Sequence, residues 1–248
     1  AGGRISAHVG CVTVDGIISS VKEWFSSRAS DQAEGEGAEL LIMPLDTPGG
    51  LLSSTREIVE LLLESPVPVA VYVSPKGARA GSAGTFITAA GNFAVMAPGT
   101  NIGAATPISA TGEDLEDTLA SKVENDAAAL IRSIAQTRGR NEDKLEETVR
   151  SAASYSAQEA LADNVVDLIA EDLDDLLAKL DGLTADTSLG MVVLETEGLE
   201  IRTIEKNILE HFLEFISDPN VSFILLTVGG LGIVVEMFNP GLDRKSVA

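Results

Sequence analysis

Apolar residues collect along this chain in short continuous runs, separated by stretches in which they recur at helical spacing. The run His8–Val14 ends at Asp15-Gly16, and Ile18–Glu34 follows with Val21, Trp24 and Phe25 spaced as on a helix face before a Glu-Gly-Glu-Gly turn. Glu39–Leu45 reads as a buried parallel strand, covered on both faces. After Asp46-Thr-Pro-Gly-Gly50 comes a helix over Leu51–Glu64, with Ile58, Leu61 and Leu62 on one side. Pro66 separates it from the β-branched strand Val67–Val73. Thr85–Ala90 is expected to be helical and Phe93–Met96 a strand. A long helix is predicted over Leu115–Arg138, with Leu119, Val123, Leu130, Ile131 and Ile134 as its apolar positions. Shorter helices follow at Asn141–Arg150 and Ala157–Ala162, then a strand at Val165–Ile169 and an acidic amphipathic helix at Asp172–Leu180. Ser188–Thr203 is strand-rich and is expected to form an edge hairpin.

Strands spaced by helices of this length imply βαβ crossovers, hence an α/β domain with a mostly parallel sheet. Chemistry in such sheets collects in the loops at the carboxyl ends of strands. Three segments are expected there: Asp46–Gly50, Pro75–Gly81 and Ala97–Pro107.

The end of the chain has another character. Phe223–Phe238 holds a single charge, Glu236, and with Val221 and Ser222 it approaches the length of a membrane span. Its Gly-Gly-x-Gly content suits a span better than an isolated soluble helix, although a buried core helix has the same length. Arg244 and Lys245 follow, and the positive-inside bias puts that end in the cytoplasm and the α/β domain outside. Ile204–Ile216, with Ile208, Phe212 and Phe215, is expected to lie along the membrane surface.

Charge and composition narrow the partners. The net charge of −21 over 248 residues, with 38 acidic and 17 basic side chains, excludes a nucleic-acid partner, because phosphate binding needs Lys and Arg. An acidic surface of this kind suits a high-salt organism. The chain is 45% hydrophobic but only 4% aromatic, so its core is aliphatic and alanine-rich. Cys11 is the only cysteine, which leaves no disulfide and no thiolate metal cage, and no metal or other cofactor is expected. The chain opens at Ala1 with no charged-then-apolar leader and is read as processed or partial.

Ser82 stands out among the groups that could do chemistry. It lies in Gly77-Ala-Arg-Ala-Gly-Ser-Ala-Gly84, after a strand-like run and before a helix-like one. Such a serine is an ordinary helix N-cap or a nucleophile at the mouth of a turn, and this segment alone leaves both readings open. A nucleophile needs a base. His8 opens the first strand and His211 lies beside the candidate span, neither well placed near a carboxyl-end loop, so a Ser–His–Asp triad is not expected. Lysine can serve if a desolvated site keeps it neutral. Lys22 and Lys206 lie in helices at the two ends, Lys144 and Lys179 face solvent, Lys245 is near the terminus and Lys76 is in an exposed loop. Lys122 is left, flanked by Leu119 and Val123, so its stem is expected on the core face of the long helix. Pro48-Gly49-Gly50 opens a helix after a buried strand and should present unpaired N–H groups, which with Ala83 could hold an oxyanion. It lacks the lysine of a P-loop and the spacing of a dinucleotide fingerprint.

Leu-Asp-Thr-Pro-Gly-Gly (45–50), Gly-Ala-Arg-Ala-Gly-Ser-Ala-Gly-Thr (77–85) and Met-Ala-Pro-Gly-Thr-Asn-Ile-Gly-Ala-Ala-Thr-Pro (96–107) together resemble the membrane-bound NfeD-type serine proteases, relatives of signal peptide peptidase A in the ClpP/crotonase superfamily. The resemblance runs from about residue 8 to 240 and takes in Arg138-Gly-Arg-Asn141, Ser156-Ala-Gln-Glu-Ala160 and Asp218-Pro-Asn220. It implies a repeated β-β-α spiral over residues 1–185, a strand-rich extension over 186–205, an amphipathic juxtamembrane helix over 206–220 and a transmembrane helix over 221–240. It implies a Ser82–Lys122 dyad, oxyanion donors at Gly49, Gly50 and Ala83, no cofactor, and cleavage of apolar membrane-associated polypeptides. A stomatin-like protein is the implied partner, and a homo-oligomer is expected. Members of the family usually carry further spans and a small β-barrel, so a chain ending at Ala248 is expected to be truncated. Two other readings stay open: a crotonase-type acyl-CoA enzyme, which would need a carboxylate base and a basic grip on CoA phosphates, and a non-catalytic membrane scaffold.

Overall fold

The structure, a computed structural model, describes residues 7–108 and 117–238. It divides into two compact units, Ala1–Glu205 and Lys206–Ala248. The first unit begins with β1 (His8–Cys11) and β2 (Val14–Asp15), then α1 (Ser20–Gly35), β3 (Leu40–Asp46), α2 (Leu52–Leu63) and β4 (Val69–Val73). It continues through β5 (Arg79–Gly81), α3 (Ala83–Ala90), β6 (Phe93–Met96), β7 (Asn101–Gly103), α4 (Asp117–Arg138) and α5 (Glu142–Arg150). It ends with β8 (Ser154–Ser156), α6 (Ala157–Ala162), β9 (Leu168–Ile169), α7 (Leu173–Leu180), β10 (Thr184–Thr187), β11 (Gly190–Val193) and β12 (Glu200–Thr203).

The main sheet has the order β12-β1-β3-β4-β6-β9, with β2 beside β3, and its pairings are all parallel. Its central strands are apolar on both faces because two cores press on them. In β3 and β4, Leu41, Met43, Leu45, Val69, Val71 and Val73 point into one core, while Leu40, Ile42, Ala70 and Tyr72 point into the other. Side chains alternate across a strand, so only a continuous apolar run can fill both cores. Phe25 of α1, Ile58 of α2 and Ile131 of α4 cover the first core, and Leu176, Leu177 and Leu180 of α7 cover the second.

The strand-rich end is arranged differently from expectation. The hairpin pairs β10 with β11, so it begins before Ser188, and β12 leaves it to extend the main sheet in parallel with β1. Ile204 N–H donates to Cys11 O at 2.8 Å, which carries that pairing one residue further.

The second unit holds α8 (Ile208–Ser217) and α9 (Pro219–Phe238). Asn207 and Glu210 form a capping box at the start of α8, while Lys206 pairs with Glu214. The helix starts four residues after Ile204 and exposes Ile208, Leu209, Phe212 and Phe215. Within α9, Asn220–Phe238 has a mean hydropathy of 2.1 over 19 residues and is long and apolar enough to cross a membrane. None of it is buried, as a core helix would be. The last two residues of the expected span, 239 and 240, lie outside the described residues, as do Arg244 and Lys245.

Candidate active site

The site forms where β3 ends and α3 begins. Thr47, just past β3, donates its N–H to Arg79 O at 2.8 Å and accepts Gly81 N–H at 2.9 Å, fastening the Ser82 turn to the end of the main sheet. Ser82 N–H then donates to Gly103 O at 3.0 Å, so β7 supports the turn from its other side. The Thr85 hydroxyl lies 3.0 Å from Ala80 O and 3.1 Å from Gly103 O, and ties the first turn of α3 to both. Gly84 lets the helix approach this closely, since a Cβ there would fall 2.6 Å from Thr47 Cγ2.

Within this frame Ser82 takes φ 49 and ψ −111. A side chain other than glycine in such a sparsely populated region costs about 1–3 kcal/mol, and strain of this kind concentrates at functional sites. The ordinary N-cap reading does not hold, because the Ser82 side chain makes no capping bond and its hydroxyl has no partner among the described residues. All eight residues of α3 are buried, so its first free N–H, that of Ala83, lies at the inner end of a shielded helix dipole.

Gly49 faces this turn at φ 130. A Cβ on it would sit 2.7 Å from Ser82 Cβ, 3.2 Å from Ser82 Oγ and 3.7 Å from Ala83 N, so this glycine is required by contact as well as by conformation. Its N–H is not free, as expected from sequence, but donates to Thr47 Oγ1 at 3.0 Å. Gly50 is pinned against Ile18, whose N–H donates to Gly49 O and whose carbonyl accepts Leu51 N–H, both at 2.9 Å. The N–H groups of Gly50 and Ala83 are the two of the three expected donors that carry no hydrogen bond among the described residues.

Lys122 is placed otherwise than its neighbours suggested. It is exposed on the second turn of α4, with Leu119 49% exposed beside it, and it has no hydrogen bond or ion pair with Ser82. The buried face of α4 begins only at Ala127 and continues through Ala128, Ile131, Ile134 and Ala135, because the helix overshoots the core at its start. Residues 109–116, between the third loop and α4, lie outside the described residues. His8 is buried in β1 with Glu36 Oε2 at 3.6 Å, and His211 belongs to α8 of the second unit. Lys76 is paired with Glu171. Among the described residues no group of three or more His, Cys, Asp or Glu side chains is arranged to hold a metal ion.

Thr47 and Gly103 lie in loops expected at the carboxyl ends of strands, but neither they nor Thr85 were singled out as site residues. Thr85 is next to the serine motif in sequence, but nothing local tells that its hydroxyl reaches back to two carbonyls.

Residues 8–188 match the NfeD1b N-terminal domain. The chain belongs to the NfeD1b family. It is 35% identical over 236 residues to the membrane-bound protease PH1510 of Pyrococcus horikoshii, covering 90% of this chain and 53% of that protein. It is 28% identical over 226 residues to the membrane protein NfeD1b of Bacillus subtilis, covering 90% of this chain and 49% of that protein. The NfeD1b-family chain thus spans about half the length of the curated relatives it matches.

Solved structures match this chain as well. A Lys→Ala variant of 1510-N, a membrane-bound stomatin-specific protease, in complex with a substrate peptide, matches with a TM-score of 0.78 at 33% identity, over 86% of this chain and 98% of that one. A Ser→Ala variant of 1510-N matches with a TM-score of 0.76 at 35% identity, over 81% and 99%. ClpP1 of Listeria monocytogenes, 18% identical, has a TM-score of 0.55 over 67% of this chain and 94% of that one. The fold is therefore that of the ClpP-like proteases.

Proposed function

We propose that this NfeD1b-family chain is a membrane-anchored serine endopeptidase with Ser82 as nucleophile, Lys122 as general base, and Gly50 and Ala83 N–H as oxyanion donors. The observation that carries the reading is the strained, uncapped Ser82, whose hydroxyl, without a partner among the described residues, lies against Gly49 at the positive end of α3. The solved relatives support the choice of residues. The serine and the lysine replaced in 1510-N are separated along that chain by one residue more than Ser82 and Lys122 are here, and no other lysine of this chain comes near that spacing.

In the proposed reaction Lys122 Nζ takes the Ser82 proton as Oγ attacks the scissile carbonyl. The tetrahedral oxyanion accepts hydrogen bonds from Gly50 and Ala83 N–H, the amine leaves with the proton from Lys122, and water, deprotonated by the same lysine, releases the acyl group. Each oxyanion donor of this type contributes about 10²–10³ in rate. An extended substrate laid beside Gly49–Gly50 would add as a strand and keep water from the amine. The substrate is an apolar, membrane-associated polypeptide, with a stomatin-like protein as the candidate, since 1510-N is stomatin-specific. α9 is the anchor, the first unit is extracytoplasmic, and the protein works as a homo-oligomer.

One observation favours a rival. Lys122, exposed and with no ion pair among the described residues, would suit a membrane scaffold that binds a stomatin-like partner without cutting it. Ser82→Ala decides: cleavage of an apolar peptide and fluorophosphonate labelling should both vanish while the circular dichroism spectrum is kept. Full cleavage by that variant, or a wild type that never cleaves but binds the partner, removes the endopeptidase reading.

A further inference from the structure

The serine end of α3 is open for chemistry, and its other end is held by two guanidiniums from a distant part of the chain. A helix leaves its last four carbonyls without partners of its own. α3 has no basic residue in its last turn, and Gly91 N–H returns no bond to the helix. Arg138 and Arg140, which flank Gly139 after α4, supply what is missing. Arg138 Nε donates to Ala90 O at 2.8 Å and Arg140 Nη1 donates to Ala89 O at 2.7 Å. Arg140 Nη2 donates to Gly91 O at 3.1 Å and pairs with the Asp167 carboxylate, which in turn accepts Ala94 N–H at 2.7 Å. The remaining nitrogens of Arg138 donate to Leu62 O at the end of α2, at 2.9 Å, and to Asp186 O, at 3.2 Å.

Two features mark this as more than surface ion pairing. The Arg140 side chain is completely buried, and its Nε has no partner among the described residues. A buried unmade bond is costly, so the guanidinium is oriented by the helix end and not by its own full satisfaction. Furthermore, α3 is an eight-residue rod whose flanks are held by apolar packing, which has no direction. The fork at its C-terminal end and the Thr47–Gly103 framework at its N-terminal end are directional, and between them they set its axial height.

We propose that Arg138 and Arg140 are positioning residues for the serine site, clamping the C-terminal end of α3 so that Ser82 Oγ and Ala83 N–H stand at the working height against Gly49–Gly50. This rests on the reading of Ser82 as nucleophile. Displacing a reacting group by about 1 Å costs about 10²-fold in rate, so a fraction of that shift is readable.

The test uses Arg138→Lys and Arg140→Lys in the full chain in detergent. Lysine keeps the charge but cannot bridge two carbonyls as a fork does. Both variants should keep their circular dichroism spectrum and a KM within about 2-fold, while kcat and the fluorophosphonate labelling rate fall at least about 10-fold. The loss should persist well below each variant's unfolding midpoint, where a merely structural role would leave kcat intact. Amide exchange over residues 82–90 should rise about 10-fold in both. Wild-type kcat and exchange in a folded variant overturn the clamp, as does failure of both variants to fold, since the arginines would then hold the fold and not the site. A wild type that fluorophosphonate does not label, with exchange still accelerated in the variants, refutes Ser82 as nucleophile and leaves α3 placement by the arginines standing.

Discussion

Gly49→Ala tests the site most directly, because two independent penalties meet there. The residue sits at φ 130, a conformation that costs about 1–3 kcal/mol for a residue with a side chain. The added Cβ would also lie 2.7 Å from Ser82 Cβ, and overpacking of this kind costs about 1–3 kcal/mol more. The sum, about 2–6 kcal/mol, corresponds to a drop of about 4–24 °C in thermal midpoint for a unit of this size. The other way out is for the turn to move. Restoring an ordinary carbon–carbon separation of about 3.5–4.0 Å requires a shift near 1 Å, and that costs about 10²-fold in rate. Fluorophosphonate labelling and thermal unfolding, measured together, should therefore both fall. Gly198→Ala is the control: its φ of 75 carries backbone strain, but its Cβ would meet nothing within 4 Å. It should lose about 1–2 kcal/mol and label at the wild-type rate. A Gly49→Ala protein with wild-type labelling and midpoint would refute the close approach of this glycine to Ser82, the proposed nucleophile.

Lys122→Met should lower peptide hydrolysis by at least about 10²-fold, as expected for a general base, while its exposure on α4 limits the stability change to about 0.5 kcal/mol; retained hydrolysis would assign the base elsewhere. Glu146 is held below the usual carboxylate range by hydrogen bonds from Arg150 and Arg132, so its contribution is complete above about pH 4.3 and is lost as pH falls through its lower folded value. The midpoint difference between wild type and Glu146→Gln should accordingly shrink from pH 6 to pH 3, and a difference constant over that range would refute the linkage.

Much of the fold was legible because the signals are local. Parallel strands buried on both faces are read from uninterrupted apolar runs, as at β3 and β4. The position of Ser82 was legible for a similar reason, since a Gly/Ala-rich turn between strand and helix is a sequence-local feature. Its role was not. Capping and nucleophilic serines share a sequence context, and only the backbone angles and a hydroxyl without a partner among the described residues set Ser82 apart from a capping serine. The core face expected for Lys122 failed because helical periodicity tells which side of α4 is apolar, not where along its length the core begins. The same limit explains β12. A short amphipathic strand near a hairpin is locally indistinguishable from one that crosses to pair with β1.

By itself the sequence determined an α/β chain with an aliphatic core, a serine in a turn, and an apolar helix at its end, because burial on one or two faces writes its period into adjacent residues. Tertiary structure alone decided which glycine passes Ser82, which donors stay free once Thr47 has taken Gly49 N–H, and that Arg138 and Arg140 close the far end of α3. Those are contacts between residues far apart in the chain. Their partners follow from how the layers stack, and no local period records that.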